Sequence, residues 1–108
     1  MIPSQMLKGL LEGCILEIIR QQETYAYVIS NELAKCGFGE ISEGTIYPII
    51  LRLQKKELIS STTKESESGP ARKYYKLTKE GEQELNELEG IWKELSSAIN
   101  QLLNKRSE

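Results

Sequence analysis

The chain has 108 residues, 39% hydrophobic and 28% charged, with a formal net charge of −2. That is one domain's worth of sequence, apolar enough to bury a core and without the bias of a disordered segment. It contains no His and no Asp, which removes the usual general base, the histidine triads and most metal-ligand sets, so neither an enzyme nor a cofactor is expected.

No apolar run approaches the roughly 18 residues of a membrane span. The segment Met1-Ile2-Pro3-Ser4-Gln5 lacks the basic start of a secretory signal, and a cytoplasmic protein with no membrane association is expected. Charge is unevenly placed. Residues 1–51 carry three basic and six acidic side chains, residues 52–79 eight and three, and residues 80–108 three and seven. A middle segment at +5 between ends at −3 and −4 can present a basic face to phosphates although the whole chain is acidic.

From Ser4, a candidate cap, the residues Leu7, Leu10, Leu11, Cys14, Ile15, Ile18 and Ile19 recur at the three-four spacing of one helical stripe. A central helix over about 5–21 is predicted. A second helix is predicted from Thr24 to Cys36, with Ala26, Ile29, Leu33 and Cys36 on one face and Gly37 placed for a left-handed C-cap. Cys14 and Cys36 have no partner at metal or redox spacing and read as reduced core residues. Ser42 caps a third helix over about 43–57, in which Ile46, Ile49, Ile50 and Leu53 form the buried stripe and Pro48 falls early.

The pattern then changes. Ser60 to Thr63, a polar loop over 65–70 and the aromatic run from Arg72 to Leu77 read as a β-hairpin whose loop projects into solvent. Thr78 caps a last helix to about Asn104, where Leu85, Leu88, Trp92, Leu95, Ile99 and Leu102 are spaced as a coiled-coil seam. About 26 residues make a rod of about 39 Å, longer than three short helices can cover, so a second copy is its expected partner. Packing of the seam on the first helix alone is the alternative.

The fold class is therefore mainly α with a β-hairpin wing: a winged helix-turn-helix in the order α-α-α-β-β-α. Residues 1–78 form the winged unit and residues 79–108 the dimerisation helix. Such domains bind DNA or dock proteins, and the order of elements does not separate the two.

The local sequence is more specific. Ser42-Glu43-Gly44-Thr45-Ile46-Tyr47-Pro48, followed by Leu51-Arg52-Leu53 and Leu58-Ile59, resembles the signature of the PadR family of bacterial transcription regulators. Arg72-Lys73-Tyr74-Tyr75-Lys76-Leu77-Thr78 with Gly81 is similar to that family's wing strand and entry to its last helix. Tyr27, Ile29 and Leu33 match its second-helix pattern, although Val28 stands where a polar or acidic residue is more usual. The resemblance spans about residues 7–103 and implies the small subfamily with one C-terminal helix.

The third helix leaves Glu43, Thr45, Tyr47, Arg52 and Lys55 outside the buried stripe, offering hydroxyl and cationic donors to a major groove, while Ser42 and the helix start aim amides at a phosphate. Thr45 can equally bond its own backbone, and Tyr47 can pack near the hairpin. Glu43 suits the helix dipole better than a phosphate. On the hairpin, alternation puts Arg72, Tyr74 and Lys76 on one face and Lys73, Tyr75 and Leu77 on the other. Arg72, Lys73 and Tyr74, with Lys64 on the facing strand, complete the expected DNA-binding set.

In the multidrug-sensing members that the chain resembles, a tryptophan at the distance of Trp92 lines a pore between subunits. The resemblance thus implies a planar aromatic or hydrophobic effector stacked on Trp92, with Glu89 one turn earlier to offset a cation. Plain interface packing is the alternative for Trp92. A homodimeric repressor on a pseudo-palindromic operator is the expectation, and a winged helix that docks a protein is the alternative.

Overall fold

The computed structural model describes residues 2–66 and 69–107. Its centre is helix α2, Leu11–Gln21, whose Leu11, Ile15, Leu16 and Ile19 are all buried. A short helix α1, Ser4–Leu7, precedes it with Pro3 rather than Ser4 as the N-cap. The single helix expected over 5–21 is thus broken at Lys8-Gly9-Leu10. There the Leu10 amide donates to the Leu7 carbonyl at 2.8 Å, a tight turn next to a glycine, which costs a helix about 1 kcal/mol relative to alanine.

Helix α3, Ala26–Lys35, buries Ala26, Ile29 and Leu33. It starts two residues later than the pattern suggests because Thr24 is held elsewhere. The Thr24 amide donates to the Tyr75 carbonyl at 3.2 Å, and the Tyr75 amide returns a bond to the Thr24 carbonyl at 2.7 Å. Gly37 ends the helix with φ 100°, and Gly37 and Phe38 donate their amides back to the Ala34 and Leu33 carbonyls, the expected glycine-dependent stop. Cys36 is exposed rather than in the core, while Cys14 is half-buried. Burial, and secondarily the Cys36 thiol, pushes the Cys14 thiol above its ordinary value, so Cys14 stays protonated and weakly reactive.

Helix α4, Glu43–Lys55, carries the buried stripe Ile46, Ile49, Ile50 and Leu53, with Pro48 inside it. Ser30 Oγ donates to the Ile41 carbonyl at 2.6 Å and fixes the turn between α3 and α4. Glu57, at φ 61°, reverses the chain, and the Leu58 amide donates to the Leu53 carbonyl at 2.9 Å.

Strands β1, Ile59–Ser66, and β2, Gly69–Leu77, pair antiparallel with Ile59 opposite Leu77, Ser61 opposite Tyr75 and Lys64 opposite Arg72. They shorten the loop expected over 65–70, whose Glu67 and Ser68 lie outside the described residues. Ile59 and Tyr75 anchor the base of this hairpin in the core. The mutual bonds of Thr24 and Tyr75 form an isolated bridge on its other edge.

Helix α5, Lys79–Asn104, begins at a tight junction. Thr78 Oγ1 accepts from the Gly81 amide at 3.0 Å and donates to the Glu57 carbonyl at 2.7 Å, and the Thr78 amide donates to the Leu58 carbonyl at 3.0 Å. Gly81 lies so near the Leu58 carbonyl oxygen that a Cβ there would overlap it. Farther along, Leu85 is buried in the chain's own core, and Leu88 fills the space beside Gly13 that a larger residue would take. Beyond this point the helix leaves the domain, and the molecule extends 60 Å by 29 Å by 20 Å. No described helix is long and apolar enough to cross a membrane.

Gly81→Ala should force α5 off this junction, since the obstacle is a backbone carbonyl rather than a pliable side chain. A cost of about 1–3 kcal/mol is expected, read as a lowered midpoint of thermal unfolding. An unchanged midpoint would mean that the junction is slack.

Candidate nucleic-acid interface

Helix α4 is the element on which the expected readers converge, and its local chemistry explains why it holds its shape. Ser42, extended at ψ 154°, caps it, and its Oγ accepts from the Thr45 amide at 3.3 Å and lies 3.2 Å from the Thr45 hydroxyl. Both hydroxyls therefore serve the helix start while remaining exposed. Glu43 in the first turn complements the helix dipole.

The two flanks of α4 face different grooves. On the wing side, Tyr47 shares a groove of about 510 Å³ with Tyr25, Tyr27, Glu43, Arg72 and Lys73. On the other side, Ser42, Thr45 and Arg52 share an open groove of about 870 Å³ with Ser4 of α1 and with Pro48. Expected site residues that are adjacent in sequence are thus divided between two surfaces, and Tyr47 is joined to the wing residues.

Arg52 is less free than the helical pattern suggests. Its Nε donates to Glu12 Oε1 at 3.0 Å, and Lys56 Nζ lies 3.6 Å from the other oxygen of the same carboxylate. One acid on α2 thereby holds a cation of α4 and the lysine that follows its last turn. The pair is half-exposed, so its contribution to stability is at most about 1 kcal/mol; its effect on placement is larger. Arg52 anchors α4 to the core helix, and only part of its guanidinium remains free.

The wing cations are likewise held by neighbours. Arg72 stacks 4.8 Å above the Tyr25 ring and donates to the Tyr25 hydroxyl at 3.2 Å. Lys64 lies 4.7 Å above the Tyr74 ring and 2.7 Å from Glu23. Tyr25 in turn meets Tyr74 edge-on at 5.1 Å and Tyr27 in a stacked arrangement at 6.5 Å. These are cation-π and aromatic contacts of modest strength, and together they fix where the wing's positive charge stands. Lys73 is exposed and has no ion pair among the described residues. Burial, and secondarily the Tyr47 hydroxyl, pushes the Tyr75 phenol upward, so this one side chain of the groove stays neutral at physiological pH.

Three residues of this surface were not singled out from sequence: Tyr25, Pro48 and Leu51. Tyr25 sits immediately before α3, where only the folded hairpin reveals its value as the platform for Arg72. Pro48 and Leu51 form, with Gly44 and Lys55, the ridge of α4 directly opposite the buried stripe. Leu51 is 65% exposed. The helical period already leaves it outside the buried stripe, but an apolar residue carries no sequence signal of binding in itself.

On α5 the seam divides in two. Leu85 and Leu88 are committed to the chain's own core and to Gly13, so the intramolecular alternative accounts for the beginning of the stripe. Trp92, Leu95, Ile99 and Leu102 are all exposed, at 43% or more, as are Ile91 and Leu103. Glu89 faces Lys93 Nζ at 3.7 Å, which offsets part of the charge it would offer a cation.

The architecture agrees with known proteins. Residues 15–87 match the model of the transcriptional regulator PadR-like family. A PadR-like transcriptional regulator from Bacillus cereus is 52% identical in sequence, with a TM-score of 0.84 over 92% of this chain and 96% of that one. A PadR-like transcription factor from Bacteroides fragilis is 44% identical, with a TM-score of 0.78 over 92% and 95% of the two chains. An uncharacterised protein of Lysinibacillus sphaericus is 34% identical over 93% of this chain and 94% of its own. With this coverage, and with the hairpin following three core helices and leading into one long terminal helix, the chain belongs to the PadR-like family of transcriptional regulators, which are not enzymes.

Proposed function

We propose that the chain is a homodimeric repressor that binds a pseudo-palindromic operator in double-stranded DNA, one winged unit per half-site. A planar aromatic or hydrophobic effector held between the subunits relieves repression. The observation that carries the reading is the coexistence, on one chain, of a cationic wing beside the exposed face of α4 and an unpaired apolar stripe along α5. The first fits a phosphate backbone and a major groove. The second is too large to leave in water and is self-complementary in a second copy.

In this arrangement α4 enters the groove, with Thr45 and Tyr47 at base edges and Ser42 toward a phosphate. Arg72, Lys73, Tyr74 and Lys64 follow the backbone from the wing, and Arg52 braces the helix. The carboxylates of Glu23 and Glu12 hold Lys64 and Arg52 in place but must share those cations with phosphate. Trp92, Leu95, Ile99 and Leu102 pack on their symmetry mates. Trp92, half-exposed beside Glu89, offers the effector a flat surface, and binding there changes the angle between two rods and hence the spacing of the readers.

The dimer is checked by sedimentation. The wild-type mass should be twice 12.3 kDa, and Leu95→Glu with Ile99→Glu should give a folded monomer, because both side chains are exposed in the single chain. A wild-type monomer would remove the reading.

DNA binding is checked by titration of labelled duplexes. Affinity should fall steeply with salt, as counterion release requires. Arg72→Ala should weaken all sequences by about tenfold, about 1.4 kcal/mol, while changes at Thr45 or Tyr47 should shift sequence preference. Salt-independent association would favour a protein-docking winged helix instead.

For the effector, ethidium as a planar cationic probe should quench Trp92 fluorescence in the DNA-free dimer and release bound DNA. No quenching at high probe concentration would leave Trp92 a packing residue.

A further inference from the structure

The surface of α4 carries one apolar group that neither the domain core nor the wing uses. Leu51 is 65% exposed, more so than Tyr47 at 49%, and these two are the exposed large hydrophobic side chains among the described residues of α4. At 100° per residue Leu51 stands roughly 150° around the helix from the centre of the stripe formed by Ile46, Ile49, Ile50 and Leu53. Its neighbours on the ridge are Pro48 one turn before and Lys55 one turn after, both exposed. Two turns before stands Gly44, where an added Cβ would meet only Ser42 Oγ at 3.6 Å. The ridge is therefore low at its start, apolar in its middle and cationic at its end.

Neither Leu51 nor the Pro48 ring has a polar side-chain atom, so neither can hydrogen-bond a base edge or a phosphate. The exposed apolar group on the major-groove edge of a base pair is the C5 methyl of thymine. We infer that Leu51, backed by Pro48, is a specificity-determining residue that selects thymine by burying this methyl in each half-site. The inference rests on the proposed DNA-reading role of α4 and adds to it a defined chemical preference. Lys55, one turn farther along the same ridge, supplies a phosphate contact that holds the ridge in the groove. A protein surface would be the other class of partner for an exposed leucine. The cationic wing beside α4, with Lys64, Arg72 and Lys73, favours the nucleic acid.

The test uses the full-length chain and a pool of random duplexes, from which bound sequences are selected and a consensus taken. Each thymine of the consensus is then replaced singly by deoxyuridine, which removes the methyl and leaves every hydrogen-bonding group in place. Wild type should lose about fourfold in affinity at one or two thymines per half-site, the scale of one buried methyl, about 0.8 kcal/mol. Leu51→Ala and Leu51→Gln should bind the thymine and deoxyuridine duplexes equally and select consensus sequences degenerate at those positions.

If a consensus emerges but deoxyuridine has no effect, or has the same effect in wild type and both variants, the role of Leu51 is overturned while DNA reading by α4 stands. If no consensus emerges, the DNA-reading proposal fails and this inference with it.

Discussion

The rest of the molecule depends on a single close approach, that of Gly81 to the Leu58 carbonyl. Around it Thr78 ties three elements together: its side chain caps α5 and bonds the Glu57 carbonyl, and its amide bonds the Leu58 carbonyl. Glu57 and Leu58 are where α4 ends and the hairpin begins. The long helix therefore starts against the hinge between α4 and the hairpin, and its direction is set relative to both. Packing of Leu85 in the core and Leu88 against Gly13 then holds that direction over about two turns before the rod leaves the domain.

A second constraint fixes the wing. A two-stranded ribbon is marginal by itself in water, and here it gains a partner on its second edge through Thr24, whose backbone bonds Tyr75 in both directions. Tyr75 is the buried residue of β2, so the same residue anchors the ribbon to the core and to the segment entering α3. Tyr25 follows directly and supports Arg72. The Thr24-Tyr25 step thus connects hairpin stability to the position of the hairpin's guanidinium, that of Arg72.

The electrostatics of the surface combine placement with restraint. Glu12 holds Arg52 and Lys56, and Glu23 holds Lys64. Half-exposed pairs of this kind add little to stability, but they keep flexible cations from sampling all of solvent. Under the proposed DNA-binding role, a phosphate has to compete with Glu12 and Glu23 for them. In a chain that is acidic overall, positive charge is thus both local and partly neutralised.

Much of the architecture was legible because periodicity and caps are local properties. The stripe at Ile46, Ile49, Ile50 and Leu53, the caps Ser42 and Thr78 and the left-handed Gly37 each depend on residues a few positions apart, and the chain by itself determined three core helices, a hairpin and a long terminal helix. The family signature was legible for the same reason, being two short motifs at a fixed separation. Tertiary structure decided the rest. The exposure of Cys36, at the end of α3, is not encoded in its stripe. The late start of α3 follows from a backbone pairing 51 residues distant in sequence, between Thr24 and Tyr75. Arg52 is charged and patterned outward, yet Glu12, 40 residues away, draws it back to α2. Whether a side chain reads, braces or packs depends on what stands opposite it, and only the folded chain specifies that.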